Sequence, residues 1–128
     1  MATEFRIELP NRPGALADLG EALGQEEINI EALLAITQGE LGFAHVVTAD
    51  AVPTRSTLAK NGFPFSEREV LIVRVLNEPG ALGDVARVMA DGDINIEAAY
   101  VTISGQLVLV VDDMHGAVQV ASGMAVAI

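Results

Sequence analysis

The sequence has no cysteine and no tryptophan, a single tyrosine, four phenylalanines and only 7 basic residues among 128. Without cysteine there is no disulfide, no thiol nucleophile and no thiolate metal site. Against those 7 basic residues stand 18 acidic ones, a net charge of -11 that divides into -5 over residues 1–66 and -6 over 67–128. A surface this acidic repels phosphate backbones and anionic headgroups, which argues against nucleic acid and membrane as partners. No apolar run approaches the 18 or so residues that a membrane-crossing helix needs. The opening Met1-Ala2-Thr3-Glu4 has neither the basic nor the apolar segment of a secretion signal, so a cytoplasmic chain is expected. The nucleophile elbow of serine hydrolases is missing too.

What is present is a repeat. Asn11-Arg12-Pro13-Gly14-Ala15-Leu16 is followed, 14 residues after its glycine, by Ile28-Asn29-Ile30-Glu31-Ala32. Asn77-Glu78-Pro79-Gly80-Ala81-Leu82 leads at the same interval into Ile94-Asn95-Ile96-Glu97-Ala98. A gapless shift of 66 residues matches 13 of the 41 positions from Ile7 to Val47. Self-similarity of that kind marks two copies of one structural unit. A unit of about 60 residues buries only about 60% of its unfolded surface, so neither copy is expected to stand well alone.

Each copy reads as β-α-β-β-α-β. Phe5, Ile7 and Leu9 alternate with Arg6 and Glu8, the period of a half-buried strand. The proline at position 13 suits the first turn of a helix, with Asn11 placed to cap or line its start and Leu16, Leu19, Ala22 and Leu23 at helical spacing. Strands are expected over 28–37 and 41–48 about a tight turn, then a helix to Lys60 stopped by Asn61-Gly62, then a strand over 63–67. The second copy restarts at 69–70 and repeats the plan, with a turn at 104–106 and Asp112 and Asp113 capping a short last helix. The expected fold is therefore α+β: two ferredoxin-like βαββαβ modules, each an antiparallel sheet with both helices on one face. The expected modules are residues 1–67 and 68–128, the last strand of the second being short, supplied by 124–128, or missing. In the second copy Ile94, Ile96 and Ala98 are expected to face the helices and Asn95, Ala99, Val101 and Ile103 the open side, beside Ile72 and either Val108 and Val110 or Leu107 and Leu109. Such an apolar face calls for a cover, whether the first copy, a second chain or both, and a homodimer is expected.

The chemistry gathers at the strand-to-helix loops. First-turn amides of a helix lack intrahelical partners and carry its positive dipole end, so a carboxylate docks there, while glycine at 14 and 80 keeps Cβ atoms away. A carboxamide both accepts from an ammonium and donates to a carboxylate, which suits Asn11, Asn29, Asn77 and Asn95 to a zwitterion. The plainer alternative is that these asparagines only cap helices and start strands. His45 reads as a packed or sheet-face histidine, and Asp112, Asp113 and His115 as a helix start in preference to a metal cluster.

The repeated Asn-x-Pro-Gly-Ala-Leu with Ile-Asn-Ile-Glu resembles the ACT domain, a small ligand-binding module of amino-acid metabolism. The resemblance implies an allosteric, non-catalytic protein without a cofactor, binding an amino acid between paired modules and acting on a partner such as a metabolic enzyme. It implies a ligand site at Asn11, Arg12, Pro13, Gly14, Ala15 and Leu16 with Ile28, Asn29 and Ile30, and its repeat at Asn77, Glu78, Pro79, Gly80, Ala81 and Leu82 with Ile94, Asn95 and Ile96. The first loop is similar to the serine-sensing type, which carries a histidine where this chain has Leu9 and Val75. The second is similar to the valine-sensing small subunit of acetolactate synthase. The alternative of another class is a small ferredoxin-like enzyme of acylphosphatase type, suggested by Arg12.

Overall fold

The computed structural model describes residues 2–122. The chain divides into two compact units, one from Thr3 to Arg68 and one holding the chain from Glu69 on. In chain order the elements are β1 (Ala2–Pro10), α1 (Ala15–Gln25), β2 (Ile30–Gln38), β3 (Leu41–Thr48), α2 (Ala51–Lys60), β4 (Phe65–Val73), α3 (Ala81–Asp91), β5 (Ile96–Val101), β6 (Leu107–Val111) and α4 (Met114–Val120). Both units are antiparallel sheets backed by two helices, the ferredoxin-like plan expected of an ACT module.

In the first unit the strand order is β2-β3-β1-β4. Phe5, Ile7 and Leu9 of β1 and Ala44 and Val46 of β3 face the helices and pack on Leu19, Leu23 and Leu58. Each fully buried side chain of this size contributes about 1.5–3 kcal/mol. On the opposite face Glu4 is fully buried; its carboxylate accepts a hydrogen bond from Arg68 Nε and lies 3.2 Å from His45 Nδ1. His45 is thus a sheet-face residue beside the ion pair of Glu4 and Arg68. At the edge of the same unit Arg55 of α2 grips Glu67 of β4 with two bonds of 2.6 and 2.7 Å.

The second unit orders its strands β4-β6-β5. Leu71, Val73, Leu107 and Leu109 face Val85 and Met89 of α3 and Ala117 near the end of α4. The two strands expected on either side of the module boundary, over 63–67 and from 69, are one strand, β4. No glycine, proline or asparagine interrupts residues 65–73, so nothing breaks the ladder. The strand expected over 124–128 lies outside the described residues.

Two further expectations are corrected. Pro13 and Pro79 are not in helices: α1 and α3 begin one residue after Gly14 and Gly80, whose φ values of 90° and 89° no helix continues through. A Cβ at Gly14 would stand 3.5 Å from Arg12, an ordinary contact, and at Gly80 nothing lies within 4 Å. Backbone conformation, not close approach, demands glycine at both places. The second correction concerns faces. Bulges between Ile30 and Ala32 and between Ile96 and Ala98 shift each strand's register by one residue. Ile94 and Ile96 pack under the helices as expected, but past the bulge Ala98 turns to the other face, opposite Val110, and Ala99 and Val101 return to the helix side, opposite Leu109 and Leu107. Val101 stays exposed because β5 is the edge strand, and Ile103 falls in the following turn. On the other face Ile72, Val108 and Val110 are buried.

The helix exits are as constrained as the entries. Glu27 N–H reaches Gly24 O and Ile28 N–H reaches Leu23 O, both at 3.0 Å, the paired bonds of a Schellman motif; Asp93 and Ile94 repeat them on Ala90 and Met89. Glu27 and Asp93 hold φ of 57° and 59° there, where α2 uses Gly62.

Three outcomes are expected. Gly14→Ala, which must adopt the left-handed conformation, loses about 1–2 kcal/mol in a urea titration, although the site has room for a methyl group. Glu27→Gly gains up to about 1 kcal/mol in the same titration, the relief of strain exceeding the added freedom of the unfolded chain. The hydrogen bonds from Arg55, with its charge, hold the Glu67 carboxyl below its ordinary 4.5. A depressed carboxyl stabilises the fold above its unfolded value and loses that contribution as pH falls through the folded one. The melting-temperature deficit of Arg55→Gln at pH 7 should therefore be small, as for any exposed pair, and should close below about pH 4.5.

Candidate functional site

Where β1 ends, Asn11 is fastened to the β2–β3 turn. Its backbone N–H donates to Glu40 O and its side-chain Nδ2 to Gly39 O, both at 2.9 Å. No side chain caps α1; Asp18 N–H takes Gly14 O, and Asn11 does not reach the helix start. Ala15 N–H donates to Arg12 O at 3.3 Å, and the amides that follow it in the first turn have no side-chain cap at the positive dipole end of this 11-residue helix. Arg12 stands beside them, its Nη1 donating to Pro13 O at 3.1 Å and its Nη2 to Asp18 at 3.2 Å. Both partners of that ion pair are about half exposed, so it holds the arginine loosely.

These residues open onto a cleft of about 230 Å³ lined also by Leu9, Ala15, Leu16, residues 35–37 of β2 and Gly42 and Phe43 of β3. It is below the about 300–1,000 Å³ of pockets for drug-sized ligands and suits a smaller metabolite. The β2 and β3 residues escaped the sequence reading. The two-residue turn Gly39-Glu40 was the available signal, because it sets Thr37 opposite Gly42 and, through Gly42, beside Leu9.

The structure does not bring Ile28, Asn29 and Ile30 to this cleft within one unit. Pro10 pairs with Leu41, whereas Ile30 pairs with Thr48 at the other end of β3. Seven residues of strand separate the two ends, about 23 Å at 3.3 Å per residue. Ile28 and Ile30 pack against the core. Asn29 is exposed, its Nδ2 3.3 Å from Glu31, at a cleft lined by Glu26, Glu27 and Asp50.

The second unit repeats these positions with changes. Gly80 again precedes an uncapped helix, with Ala81 half-buried and Leu82 exposed beside it. Glu78 occupies the arginine's place, and Asn77, Glu78, Val75, Val101 and Ser104 line a broader opening of about 480 Å³. The hairpin beside it is shorter. Val101 pairs with Leu107 about a turn of residues 102–106, where its first-copy counterpart Ala35 pairs with Ala44. Asn95 is far from this opening, its backbone exchanging bonds with Asp112: its N–H donates to Oδ1 at 2.9 Å and its O accepts from the Asp112 N–H at 3.1 Å. Asp113 alone caps α4, through Gly116 N–H. Among the described residues no three of His, Cys, Asp and Glu converge as metal ligands, and no helix is long and apolar enough to cross a membrane.

No curated protein sequence matches the chain. Among solved structures, protein BT0572 from Bacteroides thetaiotaomicron is 24% identical and superposes with a TM-score of 0.90, over 98% of this chain and 92% of that one. The ligand-free regulatory subunit of aspartate kinase from Thermus thermophilus is 14% identical, with a TM-score of 0.69 over 95% of this chain and 91% of that one. Aspartate kinase from Synechocystis is 17% identical with a TM-score of 0.67, and its match covers 95% of this chain and 25% of the kinase. At these identities the likeness is one of fold. The ACT domain model matches residues 3–60 and 70–120, one stretch for each repeat, and the chain belongs to the ACT-domain family.

Proposed function

We propose that this chain is a non-catalytic regulatory protein that binds a free amino acid and acts on a metabolic enzyme. One observation carries the reading: an uncapped helix start, an arginine and an anchored asparagine converge on a cleft sized for a small metabolite. The α-carboxylate lies on the first-turn amides of α1, near Arg12. Asn11 Nδ2 is spent on Gly39, which leaves Oδ1 as the acceptor for the ammonium group. Regulatory aspartate kinase subunits with this fold, from Thermus thermophilus and Thermus flavus, support regulation by ligand binding.

The distance between Asn11 and Asn29 gives the homodimer its role. Strand β2 is the edge of the first unit, and Leu16, Leu33 and Ile36 around it are exposed. Two β2 strands pairing antiparallel across a two-fold axis bring the start of one beside the end of the other. Asn29 of the second copy then reaches the cleft that Asn11 opens, and ligand binding becomes coupled to association of copies.

A thermal-shift screen of the twenty amino acids tests this. A ligand present at 100 times its dissociation constant stabilises the fold by about 2.7 kcal/mol. Asn29→Ala is expected to weaken binding about tenfold or more, the loss of a hydrogen bond to a charged group, with its melting temperature unchanged. Light scattering should report a dimer. If none of the twenty raises the melting temperature, the chain is not an amino-acid sensor.

A further inference from the structure

We infer that the two units are inequivalent: the first cleft alone takes an amino acid, and it selects one with an apolar side chain. The inference rests on the amino-acid-binding reading above and adds the class of ligand and the residues that decide it.

Three differences point the same way. First, the charge at the mouth is reversed. A carboxylate meets Arg12 in one cleft and Glu78 in the other. Only two of the five guanidinium N–H donors of Arg12 are spent, on Pro13 and Asp18, so donors remain for a ligand. Second, the first loop is tied down and the second is not. Two hydrogen bonds fasten Asn11 to the hairpin turn; among the described residues none joins Asn77 to residues 104–106. β1 runs on to Pro10, whereas β4 stops at Val73, three residues short of the matching Leu76. Third, the hairpin pairing in the second unit is slipped by three residues, so Val101, Ser104 and Leu107 line a cleft about twice as large, where residues 35–37 and Gly42 make a closer fit in the first. A small cleft whose loop is already fastened loses less freedom on binding than a larger one whose loop is not.

The walls name the class. Leu9, Ala15, Leu16 and Ala35 are apolar, and Thr37 turns its methyl group toward Gly42, which has no Cβ to fill the floor. The lining residues include no acid that would pair with a basic side chain, and their one cation stands at the mouth, where the carboxylate goes. In such a pocket each missing methylene lowers affinity about tenfold or more.

Isothermal titration of the full chain with valine, leucine, isoleucine and phenylalanine, against serine, aspartate and lysine, decides it. The expected result is one site per chain, filled most tightly by one of the four apolar amino acids. Arg12→Glu should lose at least about tenfold in affinity, and so should Arg12→Gln, which keeps the length without the charge. Circular dichroism melts confirm that both variants fold. Two equivalents per chain, tightest binding of serine, aspartate or lysine, or variants within twofold of the parent would overturn the inference while leaving the sensor reading intact. Absence of binding by all twenty amino acids overturns both.

Discussion

A β-hairpin has no freedom in where its side chains go once its turn is chosen, because moving the turn slides the pairing and can exchange the faces. In the first unit Gly39-Glu40 closes the hairpin in two residues, and Gln38 pairs directly with Leu41. That register places Gly42 between Thr37 and Leu9 and leaves a hollow where a larger residue would fill the edge. In the second unit the five-residue turn over 102–106 slides β6 along β5, and leucines take the helix-facing positions: Leu107 and Leu109, where the first unit has Ala44 and Val46. The first hairpin frames a small cleft, and the second puts larger side chains into its core beside a broader one. The sequence repeat runs through both turns, since Gly39 and Gly105 match, yet the structures part company there.

Around this frame the helix ends carry the electrostatics. Each unit enters its first helix through a left-handed glycine and leaves it through a left-handed acid. The entry strips the helix start of a side-chain cap, so the dipole end stays available to a ligand or to water. At the exit the strain of Glu27 and Asp93 is offset by burying Ile28 on Leu23 and Ile94 on Met89, the apolar contact that accompanies a Schellman turn.

Much of this could be read from the residues. The 66-residue repeat and the alternation of Phe5, Ile7 and Leu9 led to the ferredoxin-like plan, and the span of β3 was legible to the residue. The strand-to-helix loop at Asn11 was recognisable as a place where polar groups gather. Four things were not legible, each for a physical reason. A bulge has no residue signature of its own, so the faces of β5 after Ile96 were assigned one residue out. Proline favours a helical φ but does not compel a helix, and Gly14 overrode Pro13. The matched motifs name Asn11 and Asn29 without saying how they would meet, since parallel strands put them at opposite ends of one unit. Finally, a repeat disguises differences: Arg12 and Glu78 occupy equal places in the sequence with opposite charge.

β4 has a consequence for how a chain of this kind arises and comes apart. A duplicated module ordinarily brings its own first and last strands, joined by a loop that can be cut, lengthened or exchanged. Here Phe65–Val73 closes one copy and opens the next with no loop between them. Its last three residues, Leu71, Ile72 and Val73, pair with β6 of the second unit, and a break there takes ladder hydrogen bonds from that sheet. A cut at the boundary between the two units therefore divides a strand and not a loop, and leaves a raw sheet edge behind.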